Sequence, residues 1–368
     1  MSTKKDKFSI IDKFYMDLAL DLARSREGLT GTNPSVGCII VKHDKIISIG
    51  QTSYNGRPHA EVNAIKNSTE NLNDATMYVT LEPCSHHGVT PPCTSSIIRS
   101  KLKEVIYSVI DIDQRVKDKT YKILRSKKIK VRTGLLKEKV KKFYVPYFFN
   151  RQKKLPYVSG KIAISKNNLI YSKENKKITN IRSDKFTHFL RYKNDSILIS
   201  YKTLNKDNPK LNCRLKGLEK FSPKRIILDN KLKTNTNSYL FKTANKQNTI
   251  FFYNEAVKSK ILEFKKNKIT VLRSKINYNK KFNPSIIFKK LYTLGCRNVL
   301  VEGGDELTKN FVSNKIFNQF FLFKGSKNLS KSFEFKEFSG LKILKKNYKK
   351  RLKIHSNFGK DTITLYKN

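Results

Sequence analysis

Two short segments, Pro58-His59-Ala60-Glu61 and Pro83-Cys84-Ser85-His86-His87-Gly88-Val89-Thr90-Pro91-Pro92-Cys93, constrain the folding of this chain more than any other feature. They supply one imidazole, two thiols and one carboxylate, and zinc takes nitrogen and sulfur ligands of these kinds in a tetrahedron. If His59, Cys84 and Cys93 hold one ion, the chain must bring the start of a helix against the end of a buried strand. Glu61 stands two residues beyond the imidazole, on the first turn of that helix, where it reaches the fourth position without filling it. A catalytic zinc site leaves that position for water, whereas a structural site is closed by four protein ligands, frequently paired as CxxC. Here eight residues separate the cysteines. A closed site would have to recruit His86 or His87, and a third reading is two buried thiols beside a loop.

A histidine, Glu two residues later, then Pro-Cys and a second cysteine is the order found in zinc deaminases, where activated water attacks an amidine carbon and the glutamate moves protons. The surrounding residues are more specific. Asn33-Pro34-Ser35-Val36-Gly37-Cys38, His59-Ala60-Glu61-Val62 and Tyr78-Val79-Thr80-Leu81-Glu82-Pro83-Cys84, continued to Thr90-Pro91-Pro92-Cys93, resemble the deaminase half of the bifunctional riboflavin-biosynthesis deaminase/reductase (RibD) family. The resemblance implies a cytidine-deaminase-like α/β/α domain acting on a diaminohydroxy-pyrimidinone that carries a ribosylamino 5'-phosphate. It also implies that Asn33 and the loop holding His86 orient this substrate.

Length and composition fit that expectation. A chain of 368 residues suits two domains, each with its own core. Lys4, Lys5, Asp6 and Lys7 precede an amphipathic segment without the apolar stretch of a secretory signal, and no apolar run approaches a membrane span. A cytoplasmic protein with no membrane association is expected. Five cysteines, two of them assigned to metal, fit a reducing compartment, and Cys38, Cys213 and Cys296 read as buried thiols. The net charge of +48 would ordinarily suggest nucleic acid. The lysines are spread along the whole chain, however, among abundant Asn and Ile. Specific nucleic-acid recognition is therefore not expected, only salt-sensitive adsorption to polyanions.

Periodicity predicts a helix over 11–26, strands over 36–42 and 45–52, a helix from His59 to Asn67, a strand over Met77–Leu81 and a helix opening at Cys93. Strands over Val105–Ile110 and Ile129–Thr133 complete a layered α/β domain, residues 1–145. Residues 146–156 read as a connector, and 157–368 as a second domain. Its predicted strands are Tyr157–Ile164, Ser196–Ser200, Arg225–Leu228, Thr249–Tyr253 and Val299–Glu302, with helices over Arg182–Arg191 and Pro284–Leu294. Strands over Phe320–Phe323 and Thr362–Tyr366 are expected to close the sheet.

In the second half, Val299-Leu300-Val301-Glu302-Gly303-Gly304-Asp305 reads as a strand, two glycines and a helix start. This suits a phosphate-bearing ligand, although an ordinary strand-to-helix turn looks the same. The segment resembles the cofactor loop of the family's reductase domain, an α/β fold related to dihydrofolate reductase. Lys161-Ile162-Ala163-Ile164-Ser165, and Arg191, Thr203, Asp207, Pro209, Leu211 and Arg214, match other parts of that domain. The resemblance implies NADPH held by Lys161, Ala163, Thr203, Asp207, Asn230, Gly303 and Gly304. It implies substrate contacts from Arg191, Leu211, Arg214 and Glu302, with the two arginines at phosphate or sugar. Self-association through this half is expected too. Three departures stand out: Asn167-Asn168 in place of Asp-Gly, Lys177 in place of Trp, and Ile112-Asp113-Gln114 where a proline and glycine are usual.

The combined reading is a bifunctional enzyme that deaminates the pyrimidine with zinc and then reduces its ribosyl arm with NADPH. Alternatives are a deaminase with a degenerate reductase domain, a nucleic-acid deaminase, and a zinc-dependent binding module without catalysis.

Overall fold

The computed structural model describes residues 8–174, 177–332 and 334–367, so the stretch Lys4, Lys5, Asp6 and Lys7 lies outside the described residues. The chain divides into two compact units, Met1–Lys154 and Leu155–Asn368. No helix among the described residues is long and apolar enough to cross a membrane.

The first unit runs α1 (Ile10–Ser25), β1 (Gly37–Lys42), β2 (Lys45–Gln51), α2 (Ala60–Asn67), β3 (Thr76–Leu81), α3 (Cys93–Arg99), β4 (Glu104–Val109), α4 (Lys119–Ser126), β5 (Lys130–Thr133), α5 (Lys137–Phe143) and α6 (Val145–Lys153). Its sheet has the order β2-β1-β3-β4-β5, antiparallel from β2 to β3 and parallel from β3 to β5. Helix α1 starts at a capping box in which Ser9 and Asp12 bond reciprocally, and it buries Met16, Ala19, Leu20 and Ala23. Each large side chain so buried contributes roughly 1.5–3 kcal/mol. Gly37 is required because a Cβ there would collide with the Ala19 carbonyl. Gly50 is required because its Cβ would collide with the Ala60 carbonyl, and this seats the first turn of α2 directly on β2. Arg132 of β5 bridges Asp12 at 3.0 Å and Glu104 at 2.7 Å, tying α1 across to the opposite edge of the sheet.

The second unit comprises β6 (Tyr157–Ile164), β7 (Leu169–Ser172), α7 (Ile181–Lys193), β8 (Ser196–Ser200), α8 (Tyr201–Asp207), β9 (Lys224–Leu228), α9 (Tyr239–Lys242), β10 (Thr249–Tyr253), α10 (Lys258–Lys266), β11 (Thr270–Arg273) and α11 (Pro284–Thr293), followed by β12 (Asn298–Val301), α12 (Asp305–Ser313), β13 (Gln319–Lys324), β14 (Phe335–Glu337), α13 (Leu341–Asn347), β15 (Lys350–Lys353) and β16 (Thr362–Lys367). Nine strands form one sheet, β11-β10-β9-β8-β12-β6-β13-β16-β15, while β14 pairs with β7. The strands are parallel from β11 to β13, and β16 and β15 add antiparallel pairs at one edge. Apolar cores lie on both faces, as a parallel sheet demands.

Two expectations change. Residues 146–156 are not an extended connector: most of them form α6 within the first unit, with Pro146 in its first turn, where the missing N–H costs nothing. The strand β16 is not the sheet's edge, because β15 pairs beyond it. That edge is exposed at every residue and reads Lys-Arg-Leu-Lys, too polar to stand out as a strand and suited to discourage edge pairing.

Candidate active sites

In the first unit the functional groups gather at the carboxyl ends of β3 and β4. His59 is the N-cap residue of α2, Glu61 lies buried in that helix's first turn, and Cys93 opens α3. The Nδ1 of His59 lies 3.3 Å from the Cys93 sulfur and 3.6 Å from that of Cys84, and the Cys93 N–H donates to the Cys84 sulfur at 3.2 Å. The three ligand atoms fall within 4.8 Å of one another, a span one tetrahedral ion bridges, and among the described residues no fourth ligand joins them. His87 is exposed and His86 stands outside the cluster, so the site has the open arrangement. Burial raises the Glu61 carboxyl above its usual range, against the opposing pull of His59, which suits a group that must take up a proton as readily as release it.

A cavity of about 210 Å³ opens over this cluster. Asn33 and His86, expected at the substrate, line it. Asn33 is oriented by donating to the Gly56 carbonyl at 2.9 Å, while the buried Nδ1 of His86 has no partner, leaving it available to a ligand. Sequence reasoning missed several wall residues: Arg57, Glu82, Asp113, Arg115, Tyr147 and Arg151. Arg57 adjoins the HAE motif and could have been suspected. Arg151 lay in the supposed connector and gave no signal. Despite its altered residues, the loop after β4 is well fixed, because buried Glu82 accepts backbone N–H bonds from Asp111, Asp118 and Thr120.

In the second unit a cavity of about 360 Å³ lies at the carboxyl ends of β8 and β12, beside β6. Lys161, Ala163, Thr203, Asp207, Gly303 and Gly304, expected at the cofactor, line it together with Glu302, expected at the substrate. Gly304 is the N-cap of α12 and provides no side-chain cap, so that helix's first amides meet the cavity uncovered. A Cβ on Gly304 would touch only Thr203 Oγ1, at 3.4 Å. A cleft of backbone amides that a side chain would fill fits a phosphate-bearing cofactor.

Arg191 differs from expectation. Its fork is spent on Glu302, with Nε–Oε1 2.7 Å and Nη2–Oε2 2.9 Å, and its Nη1 donates to the Asn212 carbonyl. Buried at this depth, it fixes the carboxylate and is not presented to a phosphate. Leu211 packs into the core, exposed Arg214 donates to Asn212, and Asn230 lies in the turn after β9 with its buried Oδ1 unpartnered. None of the three lines the cavity. The departures at 167–168 preserve the local turn. Asn168 takes φ 65°, which Asn tolerates, and Asn167 bonds Leu329 through both ends of its amide. Lys177 lies 3.5 Å from Asp184.

Burial pushes the Glu302 carboxyl upward, but Arg191 and Lys161 outweigh it, bringing it from the ordinary 4.5 to about 2. A depressed carboxylate contributes stability that is complete above pH 4.5 and is lost as the pH falls through 4.5 toward 2. Glu302→Gln leaves the Arg191 charge buried without its partner, so at pH 7 it should cost about 3–5 kcal/mol. In thermal unfolding at pH 7 and pH 3, the gap between variant and wild type should narrow at the lower pH. A gap constant with pH would reject the ion pair's assigned strength.

Residues 9–109 match the family described as the cytidine and deoxycytidylate deaminase zinc-binding region, and residues 168–363 match the RibD C-terminal domain. The riboflavin biosynthesis protein RibD of Aquifex aeolicus is 33% identical over 359 residues, covering 97% of this chain and 98% of that one. A diaminohydroxyphosphoribosylamino-pyrimidine deaminase of Buchnera aphidicola subsp. Schizaphis graminum is 41% identical over 145 residues, 39% of this chain and 99% of its own. Among solved structures, the diaminohydroxyphosphoribosylaminopyrimidine deaminase/5-amino-6-(5-phosphoribosylamino)uracil reductase of Thermotoga maritima is 29% identical with a TM-score of 0.79, covering 97% of this chain and 98% of that one.

Proposed function

This chain belongs to the riboflavin-biosynthesis deaminase/reductase (RibD) family, and from that premise we propose that its two halves perform successive steps: hydrolytic deamination of the pyrimidine of a phosphoribosylamino-pyrimidinone, then NADPH-dependent reduction of the ribosyl arm to ribityl. The observation that carries the first step is the three-ligand cluster of His59, Cys84 and Cys93 with buried Glu61 beside its open side. Zinc, when bound there, would supply the Lewis acidity that brings the pKa of water toward neutrality. Glu61 would accept a proton from that water and donate it to the ring nitrogen, then accept a second from the new hydroxyl on the attacked carbon and hand it to the departing ammonia. A single carboxylate would serve all four transfers because its protonation alternates through the cycle. Asn33 and His86 orient the ring from the cavity wall.

For the second step, NADPH, when bound, would supply the hydride to C1' of the opened sugar. Gly303 and Gly304 would admit its phosphates to the α12 amides, and Thr203 and Asp207 would hold it from the opposite side of the α12 turn in the same cavity. Lys161 and the Glu302–Arg191 pair hold the substrate side in a fixed pattern of charge. We place the division of labour at the boundary near residue 154, with α6 on the deaminase side. Five unpaired cysteines fit a reducing, cytoplasmic setting, and lysines scattered through the chain fit salt-sensitive adsorption better than a nucleic-acid site. Self-association through the reductase half belongs to the same reading.

The direct test is metal content set against both half-reactions. The intact chain should carry about one zinc, and Cys84→Ala or chelation should abolish ammonia release while NADPH consumption with the deaminated substrate continues. Zinc-free protein that still deaminates would reject the assignment.

A further inference from the structure

One aromatic side chain reaches the cavity of the second unit. Tyr171 on β7 is the only aromatic residue among the described residues that line it. Lys177, in the place of the expected tryptophan, lies 3.5 Å from Asp184 and does not line the cavity. Strand β7 stands apart from the nine-stranded sheet and pairs with β14 alone, in a register that sets Tyr171 opposite Lys336. Residues directly opposite each other project from the same face of a strand pair, and both of these line the cavity, so the ribbon turns that face inward. Tyr171 is half-buried, yet among the described residues no second ring stacks on it and its hydroxyl has no hydrogen-bond partner. What holds it is Lys206 of α8, whose Nζ lies 3.5 Å from the ring centroid and 3.6 Å from Glu334 Oε1. That contact takes one face of the ring and fixes its plane. The other face is a flat surface of the kind on which a heteroaromatic base stacks.

Position along the cavity identifies which base. Thr203, Lys206 and Asp207 share one face of α8, and all three line the cavity. Thr203 stands beside the glycine turn, its Oγ1 3.4 Å from where a Cβ on Gly304 would lie. Lys206 is three residues on, about 4.5 Å of helix rise farther from β8. Lys161 on β6 and Glu302 just beyond β12 lie on the sheet side. The order is therefore Lys161 and Glu302, then the glycine turn, then Lys206 with Tyr171. In a dinucleotide the pyrophosphate separates nicotinamide from adenine, so a pyrophosphate at the glycine turn and a hydride end at Glu302 bring the adenine to Tyr171.

We propose that Tyr171 is the stacking surface for the adenine ring of NADPH, with Lys206 as the positioning residue that holds its plane. The inference rests on the reductase reading above. It is tested by calorimetry on the full chain with three probes: NADPH, adenosine 2',5'-bisphosphate and reduced nicotinamide mononucleotide. Tyr171→Leu keeps an apolar side chain on β7 but removes the ring. It should weaken NADPH and the bisphosphate by about 5- to 150-fold, the range for one base–aromatic stack, and leave the mononucleotide within about two-fold. Tyr171→Phe keeps the ring and should bind all three probes within about three-fold of the wild type. In turnover, Tyr171→Leu should raise KM for NADPH while kcat stays within about two-fold, since the hydride end is untouched. Bisphosphate binding by Tyr171→Leu equal to that of the wild type, or Tyr171→Phe as weak as Tyr171→Leu, overturns the stacking. Equal losses on the bisphosphate and the mononucleotide overturn it too, because they mean a disturbed cavity instead of a lost contact at one end. A wild type that binds NADPH while every variant is unimpaired sinks the stacking alone, whereas a wild type that binds none of the probes sinks the reductase reading and the stacking with it.

Discussion

Glu61→Gln should leave a folded protein with its zinc in place and a deaminase slowed by about 10²- to 10⁴-fold, the range for loss of a positioned general acid/base. Glutamine keeps the size and hydrogen-bonding capacity of the side chain in the first turn of α2, where Glu61 is only 3% exposed and larger changes would disturb packing. What it removes is the proton carrier. Its neighbours His59, Cys84 and Cys93 are untouched, so metal content separates a lost ligand from a lost proton shuttle. The control lies in the other half of the chain, where NADPH consumption with deaminated substrate should be unaffected. Near-normal ammonia release by Glu61→Gln, with zinc retained, would remove the carboxylate from the mechanism.

How much of such a site the bare sequence reveals depends on how its residues are strung along the chain. His59, Glu61, Cys84 and Cys93 were legible because each sits near a helix start or strand end, in an order and spacing that suit three ligands to one ion with a carboxylate beside them. The glycines after β12 were legible through the same kind of local logic: strand, close approach, helix. Residues whose role depends on tertiary convergence were hidden. Arg115 and Arg151 are two among 77 basic residues, and nothing local marks them as lining the cavity, whereas Arg57 has its place beside the HAE motif as a signal. Arg191 shows the reverse error, since an arginine assigned to phosphate by motif position turns out to spend its fork on Glu302, more than a hundred residues away. The α6 segment was mistaken for a linker because two prolines bracket it. One of them sits in the first helical turn and the other beyond the helix end, positions where proline ends nothing.

The largest effect expected in the second half comes from Gly304→Val. Many glycine substitutions are uninformative because they break the fold, but here the backbone has φ −67° and ψ 179°, which any residue adopts, and an added Cβ meets only Thr203 Oγ1 at 3.4 Å. The protein's own packing therefore does not demand glycine at this position, so a substitution there reads out what approaches the α12 amides. Losing glycine as the cap costs at most about 1 kcal/mol, so the unfolding temperature should move by only a few degrees. The isopropyl group would project into the cavity shared with Lys161, Ala163 and Asp207 and hold the cofactor's phosphates away from those amides. A displacement of about 1 Å in a hydride donor is enough to cost on the order of 10²-fold, so NADPH affinity and reduction should both fall by at least that much, with Gly304→Ala intermediate and deamination preserved in each. Calorimetric titration with NADPH beside a two-substrate turnover assay decides the matter. If Gly304→Val binds NADPH as the wild type does, the cofactor does not lie on this turn. If the wild type neither binds nor consumes NADPH, the second half is a scaffold, and the bifunctional reading reduces to a deaminase.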